Sequence, residues 1–199
     1  MTQEERLQKQ FDFLLEIDKE KLVQRQTPLA DSSRMENDAE HAWHMALCTL
    51  ILSEYANSKI DVARTMAMCL CHDLVEIYAG DTYAYDAAGV AGQAAREAEA
   101  APRLFGLLPE DQRDYIAGLF QEFEEHQTPE SKFAHAMDNI QPAMLNNASN
   151  GISWVEHSVR LSQILHRNEL TGQGSETLWE YSRDHFILPH VDTGEIIDS

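Results

Sequence analysis

The sequence predicts an all-α protein folded as a single-domain helical bundle, and three observations carry that expectation. Apolar residues recur at helical spacing from end to end, alternating Val/Ile/Thr segments joined by hairpin turns are missing, and several apolar runs open on helix-start residues. A chain of 199 residues suits one domain and buries a core without disulfides or a structural metal. The domain is expected to span 1–199, with its chemistry at about 30–150.

The elements follow in order. Leu7, Phe11, Leu14, Leu15 and Leu22 mark a first helix from about Glu4 to Arg25, stopped by Pro28, and a polar link covers Gln26 to Glu36. Asn37, with Glu40 three residues later, has the form of a capping box, so a second helix starts there and sets His41 in its first turn. After Asp61 a third helix runs through Val62, Met66, Cys69, Leu70 and Leu74 to Ala79-Gly80. Gly80 serves as its left-handed cap, and His72 and Asp73 lie in its C-terminal half.

Tyr83 to Gly92 reads as a loop, followed by a weakly patterned helix around Ala94 to Leu107 that carries Pro102. Pro109 opens the next helix, and Thr128-Pro129 opens another the same way, placing Asp138 about two and a half turns in. Ser153 and Glu156 suggest a second capping box ahead of Val159, Leu161, Ile164 and Leu165. A last helix covers roughly Ser175 to Ile187, with a loose tail after Pro189. No repeat, heptad or low-complexity segment marks a second domain.

A formal net charge of -19 argues against binding a nucleic-acid polymer or an anionic membrane, since both are held by clustered Lys and Arg. A small anionic substrate would need local help, and a cation is the obvious source. Three cysteines (Cys48, Cys69, Cys71) are no secreted disulfide framework. With no apolar leader and no run approaching ~20 apolar residues, the chain is expected to be cytoplasmic.

Polar groups interrupt an apolar helix in Cys69-Leu70-Cys71-His72-Asp73-Leu74-Val75-Glu76. His72 and Glu76 share a helix face, and Asp73, about 100° round, still reaches the same point. Two surface residues, or an imidazole hydrogen-bonded to a carboxylate, would account for His72-Asp73 as well. Two further intrusions favour a metal site: His41 at the start of one helix, and Asp138 inside the apolar stretch Phe133 to Ile140. Two imidazoles and two carboxylates, without thiolate, suit one divalent ion such as Mn²⁺, Co²⁺, Mg²⁺ or Zn²⁺ with open positions. Glu76 fits a proton carrier beside the ion, or a solvated residue near a helix end. Asp81 after Gly80 also has a capping reading. His44 and His135 read as core or supporting histidines, Cys69 and Cys71 as packing, and Arg34 as a cation within reach of a phosphate.

Three stretches in this order carry a resemblance: Arg34 to His41, His72 to Thr82, and Glu130 to Asp138. Together they resemble the HD superfamily of metal-dependent phosphohydrolases, and their flanks are similar to its 5′-deoxynucleotidase branch. The resemblance implies that His41, His72, Asp73 and Asp138 ligate the ion, that Glu76 transfers a proton, and that Asp81 lies at the phosphate or its water. It sets Arg25 on the substrate phosphate; Arg34 and Thr82 are taken, apart from it, as further substrate-side candidates. The sequence departs from the branch after Arg25, where Gln26-Thr27-Pro28 replaces a frequent aromatic residue.

The implied activity is hydrolysis of nucleoside 5′-monophosphates, 2′-deoxyribonucleotides above all, to nucleoside and phosphate. Phosphodiesterase or pyrophosphohydrolase chemistry, or a non-catalytic nucleotide- or metal-sensing module, are the alternatives. Apolar surface around Trp154 and Trp179, together with the habit of related proteins, predicts a homodimer.

Overall fold

The computed structural model describes residues 1–198. It is helical almost throughout, as the periodicity predicts. Helix α1 (Gln3–Ile17) begins in a capping box built by Thr2 and Glu5, and gives way to a 3₁₀ turn over Asp18–Leu22. The first helix is thus shorter than its apolar spacing suggests, and Arg25 is not on it.

Two short strands follow, β1 (Gln24–Pro28) and β2 (Met35–Asn37), paired antiparallel with Gln24 opposite Asn37 and Pro28 opposite Met35. This hairpin replaces the expected polar link. It returns the chain so that Arg25 and Glu36 face one another and Asn37 is delivered to the start of α2 (Asp38–Leu52). There the capping box forms as expected: Asn37 Oδ1 accepts from the Glu40 amide, and Glu40 Oε2 accepts from the Asn37 amide.

Helix α3 (Val62–Cys71), capped by Asp61, stops eight residues before the expected end near Ala79. His72 Nδ1 donates back to the Cys69 carbonyl, and the Glu76 and Tyr78 amides bond three residues back, to Asp73 and Val75. The chain tightens through 72–75 before a single turn, α4 (Glu76–Ala79). Gly80 follows at φ 76°, ψ 145°, a conformation open to glycine but outside the left-handed helical region.

Helix α5 (Ala87–Phe105) starts earlier than expected, leaving a loop of 80–86. Pro109 caps α6 (Glu110–Glu125), and Thr128 caps α7 (Pro129–Ala148) with Pro129 in its first turn. Ser153 caps nothing: it lies buried inside α8 (Ile152–Glu156), whose start is Gly151. After α9 (Leu161–Arg167) and α10 (Thr171–Gly174), Ser175 caps α11 (Glu176–Ser182), and a π-type turn leads into α12 (Leu188–Thr193). The described residues after Pro189 are tied down through Ile197 rather than loose. Ile196 is buried, and Ile197 exchanges backbone hydrogen bonds with Val159 and Leu161.

Three apolar clusters hold the elements. Met45, Met68, Phe123, Phe133 and Met137 join α2, α3, α6 and α7, while Phe13, Leu74, Val75, Leu104 and Leu119 join α1, α5 and α6 to the 72–75 turn. Trp154, Ile164, Ile187 and Ile196 seal the C-terminal part. Trp154 is therefore core, not surface. Exposed apolar side chains sit instead on α1 (Phe11, Leu14, Leu15) and α2 (Trp43, Leu50, Ile51). Among the described residues no helix is long and apolar enough to cross a membrane.

Candidate metal centre

The structure brings His41, His72, Asp73 and Asp138 together from three segments far apart in sequence. Helix α2 supplies His41 in its first turn, the tightened turn after α3 supplies His72 and Asp73, and mid-α7 supplies Asp138. His41 Nε2 lies 3.2 Å from Asp138 Oδ1 and 4.0 Å from Asp73 Oδ2. His72 Nε2 lies 3.0 Å from Asp73 Oδ2 and 3.7 Å from Asp138 Oδ1. Both histidines are buried.

Hydrogen bonds behind the rings settle which nitrogen faces this point. His41 Nδ1 donates to Gln141 Oε1 at 2.9 Å, and His72 Nδ1 donates to the Cys69 carbonyl at 2.8 Å. A carbonyl oxygen only accepts, so a proton belongs on each Nδ1, and each Nε2 would present a lone pair to a bound metal ion. His72 Nε2 is buried and has no hydrogen bond among the described residues. An acceptor nitrogen in that state, beside two carboxylates and a second such nitrogen, fits a divalent cation of borderline hardness.

Electrostatics point the same way. Burial by itself would raise both carboxyls, yet His72, Arg25 and His41 hold Asp73 well below the usual carboxylate range, and His41, His72 and Arg167 do so for Asp138. Burial by itself would lower His72, but Asp73 and Asp138 pull it well above the ordinary histidine value. The pocket therefore gathers positive charge, as protons when no metal ion is bound.

A cavity of about 820 Å³ opens beside this cluster. Glu76 lines it and is almost wholly buried; desolvation, then Asp73, Asp38 and Asp81, push its carboxyl up to about 12. Asp81 and Thr82, on the 80–86 loop, also line the cavity, and Arg96 of α5 donates to Thr82 Oγ1 at 2.6 Å. Burial raises Asp81 above its ordinary value, against the pull of Arg25. Arg25 reaches in from β1, with Nη1 2.9 Å from Asp73 Oδ2 and 3.3 Å from Asp38 Oδ1. Arg34 is not part of this gathering: it forks onto Glu40 at the surface, at 2.7 and 2.5 Å.

Several site residues escape sequence reasoning. Asp38 is fully buried, and its carboxylate lies within 4.8 Å of those of Asp73 and Glu76. Gln141 is also fully buried; it holds His41 and donates to Glu36 Oε2 at 2.9 Å and to His44 Nδ1 at 3.1 Å. Its signal was spacing, since a residue three beyond Asp138 on one helix shares its face. His44 thus supports the site through Gln141, while His135 donates to the Phe123 carbonyl and stacks on that ring. Arg167 bonds Asp138 Oδ2 at 2.8 Å and carried no local signal.

Residues 17–179 match the HD domain family. Over 106 residues the chain is 30% identical to the 5′-deoxynucleotidase HDDC2 of Danio rerio, and over 108 residues 28% identical to that of Homo sapiens. Each match covers 53–54% of this chain and 52% of the relative, so the chain spans about half the length of the curated relatives it matches. A solved structure from Magnetospirillum magnetotacticum, described as a predicted metal-dependent phosphohydrolase, superposes with TM-score 0.91 at 42% identity. That match covers 97% of this chain and 96% of the other. A conserved hypothetical protein from Pyrococcus furiosus shares the fold at TM-score 0.55 and 23% identity, over 80% of this chain and 98% of its own.

Proposed function

The chain belongs to the HD domain family, and on that premise we propose that it is a metal-dependent phosphohydrolase cleaving nucleoside 5′-monophosphates, 2′-deoxyribonucleotides above all, to nucleoside and inorganic phosphate. The observation that carries this reading is the convergence of two Nε2 lone pairs and two carboxylates at one wall of a nucleotide-sized cavity. The names of the HDDC2 relatives and of the Magnetospirillum structure support the reaction class.

His41, His72, Asp73 and Asp138 would hold the ion. A divalent ion bound there acidifies water and neutralises charge on phosphoryl oxygens. Arg25 supplies the cationic donor for the phosphate, turning N–H groups from Asp73 and Asp38 toward it. Asp81 takes the proton of the attacking water, and Glu76 delivers one to the leaving 5′-oxygen. Thr82, fixed by Arg96, offers a hydroxyl to the same phosphate.

Such a site explains how a chain of net charge -19 holds an anionic substrate: the positive charge is local. Metal-stripped protein screened for phosphate release against deoxy- and ribonucleoside monophosphates, with Mn²⁺, Co²⁺, Mg²⁺ and Zn²⁺ added singly, tests metal and substrate together. Turnover without metal would sink the reading; release from cyclic or polyphosphorylated nucleotides alone would move it to the diesterase or pyrophosphohydrolase class. We further infer a homodimer, supported by the exposed apolar side chains of α1 and α2, and checked by sedimentation at micromolar concentration.

A further inference from the structure

We propose that Arg167 positions Asp138 as a ligand, holding one carboxylate oxygen away from the ion so that the other alone turns to it. The proposal rests on the metal centre read above. The two oxygens of Asp138 are already divided in this way. Oδ1 lies 3.2 Å from His41 Nε2 and 3.7 Å from His72 Nε2, while Oδ2 accepts from Arg167 Nη2 at 2.8 Å. Asp73 shows no such division, because its Oδ2 serves both Arg25 and His72.

A carboxylate on its terminal torsion turns in a broad, two-fold well, so one directional bond to the outer oxygen decides which way it faces. Among the described residues no other protein group fixes Asp138 Oδ2. Outer partners of this kind commonly alter metal affinity or activity by about 10–100-fold.

The fold does not hang on Arg167 alone. Its own side chain is 45% exposed, and the buried Asp138 keeps His41 Nε2 at 3.2 Å and His72 Nε2 at 3.7 Å once the guanidinium is removed, so its charge is not left unpaired. Residues 168–171 are fastened to α7 without it: Asn139 donates to Thr171 Oγ1, and Thr171 donates to Asn168 Oδ1. Removal of the guanidinium therefore frees the carboxylate without releasing the wall behind it.

The sign of the effect separates positioning from simple charge. Deleting a nearby cation should tighten binding of another cation by Coulomb's law, whereas loss of positioning should weaken it. Calorimetric titration of metal-stripped wild type, Arg167→Ala and Arg167→Lys with Mn²⁺, without substrate, reads this directly. Wild type is expected to bind, Arg167→Ala about 10–100-fold more weakly, and Arg167→Lys between them, since an ammonium keeps the charge but not the planar, directed N–H that meets Oδ2. The melting temperature of the stripped proteins should stay together, and at saturating Mn²⁺ the KM for nucleotide should be unchanged. Equal or tighter Mn²⁺ binding by Arg167→Ala overturns the proposal, as does weaker binding accompanied by a matching loss of melting temperature. Absence of Mn²⁺ binding by wild type overturns the metal centre itself, and this proposal with it.

Discussion

Helix α7 and the 72–86 segment face each other across the cavity and deliver their site residues by opposite means. From inside a continuous 20-residue helix that carries Pro142, α7 sets Asp138, with Gln141 one turn on from it holding His41. The opposite wall breaks its helix after Cys71, and four of its residues, His72, Asp73, Glu76 and Asp81, come from turns and a loop. The first wall brings one candidate ligand; the second packs several carboxylates into a small volume. The difference teaches that anchoring and charge density are assigned to different walls.

The largest expected effect tests whether the walls are equal partners at the ion. Asp73→Ala and Asp138→Ala should each lower activity by more than about a hundredfold, exceeding the usual cost of losing a supporting residue, with bound metal lost as measured by elemental analysis. Full metal content in either variant would show that one wall binds the ion alone.

Glu76→Gln should lower kcat by about 10²–10⁴ while metal content stays at the wild-type level, because only proton transfer is removed. A kcat within threefold of wild type would assign that proton to another group on the same wall.

How legible each wall was in the sequence follows from what fixes it. Thr128-Pro129 and the Asn37/Glu40 capping box are local signals, so the starts of α7 and α2, and with them the neighbourhoods of Asp138 and His41, could be read directly. The break at 72–75 depends on His72 Nδ1 reaching the Cys69 carbonyl, which an apolar pattern does not register. The hairpin carrying Arg25 is short and polar, and its strands have no usable alternation. Asp38 is buried by tertiary packing that its place in the first turn of α2 does not announce, and Arg167 meets Asp138 only through tertiary structure.

Charge density on the broken wall also has a pH signature. Glu20 is buried below it; desolvation, then Asp73 and Asp38, raise its carboxyl from 4.5 to about 7. The folded state therefore keeps a proton that the unfolded chain releases, and stability is lost as pH rises from about 4.5 through about 7. In metal-free protein Glu20's share of the loss should be roughly 3 kcal/mol, and Glu20→Gln should reduce the fall by about that much, leaving the part owed to Asp38 and Glu124, whose carboxyls are also raised to about 7. Denaturant midpoints at pH 5 and pH 8 measure the difference; an equal fall in the variant would place the proton elsewhere.

The smallest effect tests the backbone of the broken wall alone. Gly80 stands at φ 76°, ψ 145°, and a Cβ there would meet nothing within 4 Å. Any cost of Gly80→Ala is therefore conformational, about 1–3 kcal/mol, which for a chain of this size lowers the melting temperature by roughly 2–10 °C. Because Gly80 precedes Asp81 and Thr82 but follows His72 and Asp73, kcat should fall while Mn²⁺ affinity stays at its wild-type value. Gly118, inside α6 and equally open, supplies the control: Gly118→Ala should stabilise by about 0.5–1 kcal/mol with kcat unchanged. If Mn²⁺ affinity drops in Gly80→Ala, the turn holding the ligands and the loop holding Asp81 move as one body, and the broken wall is as rigid as α7.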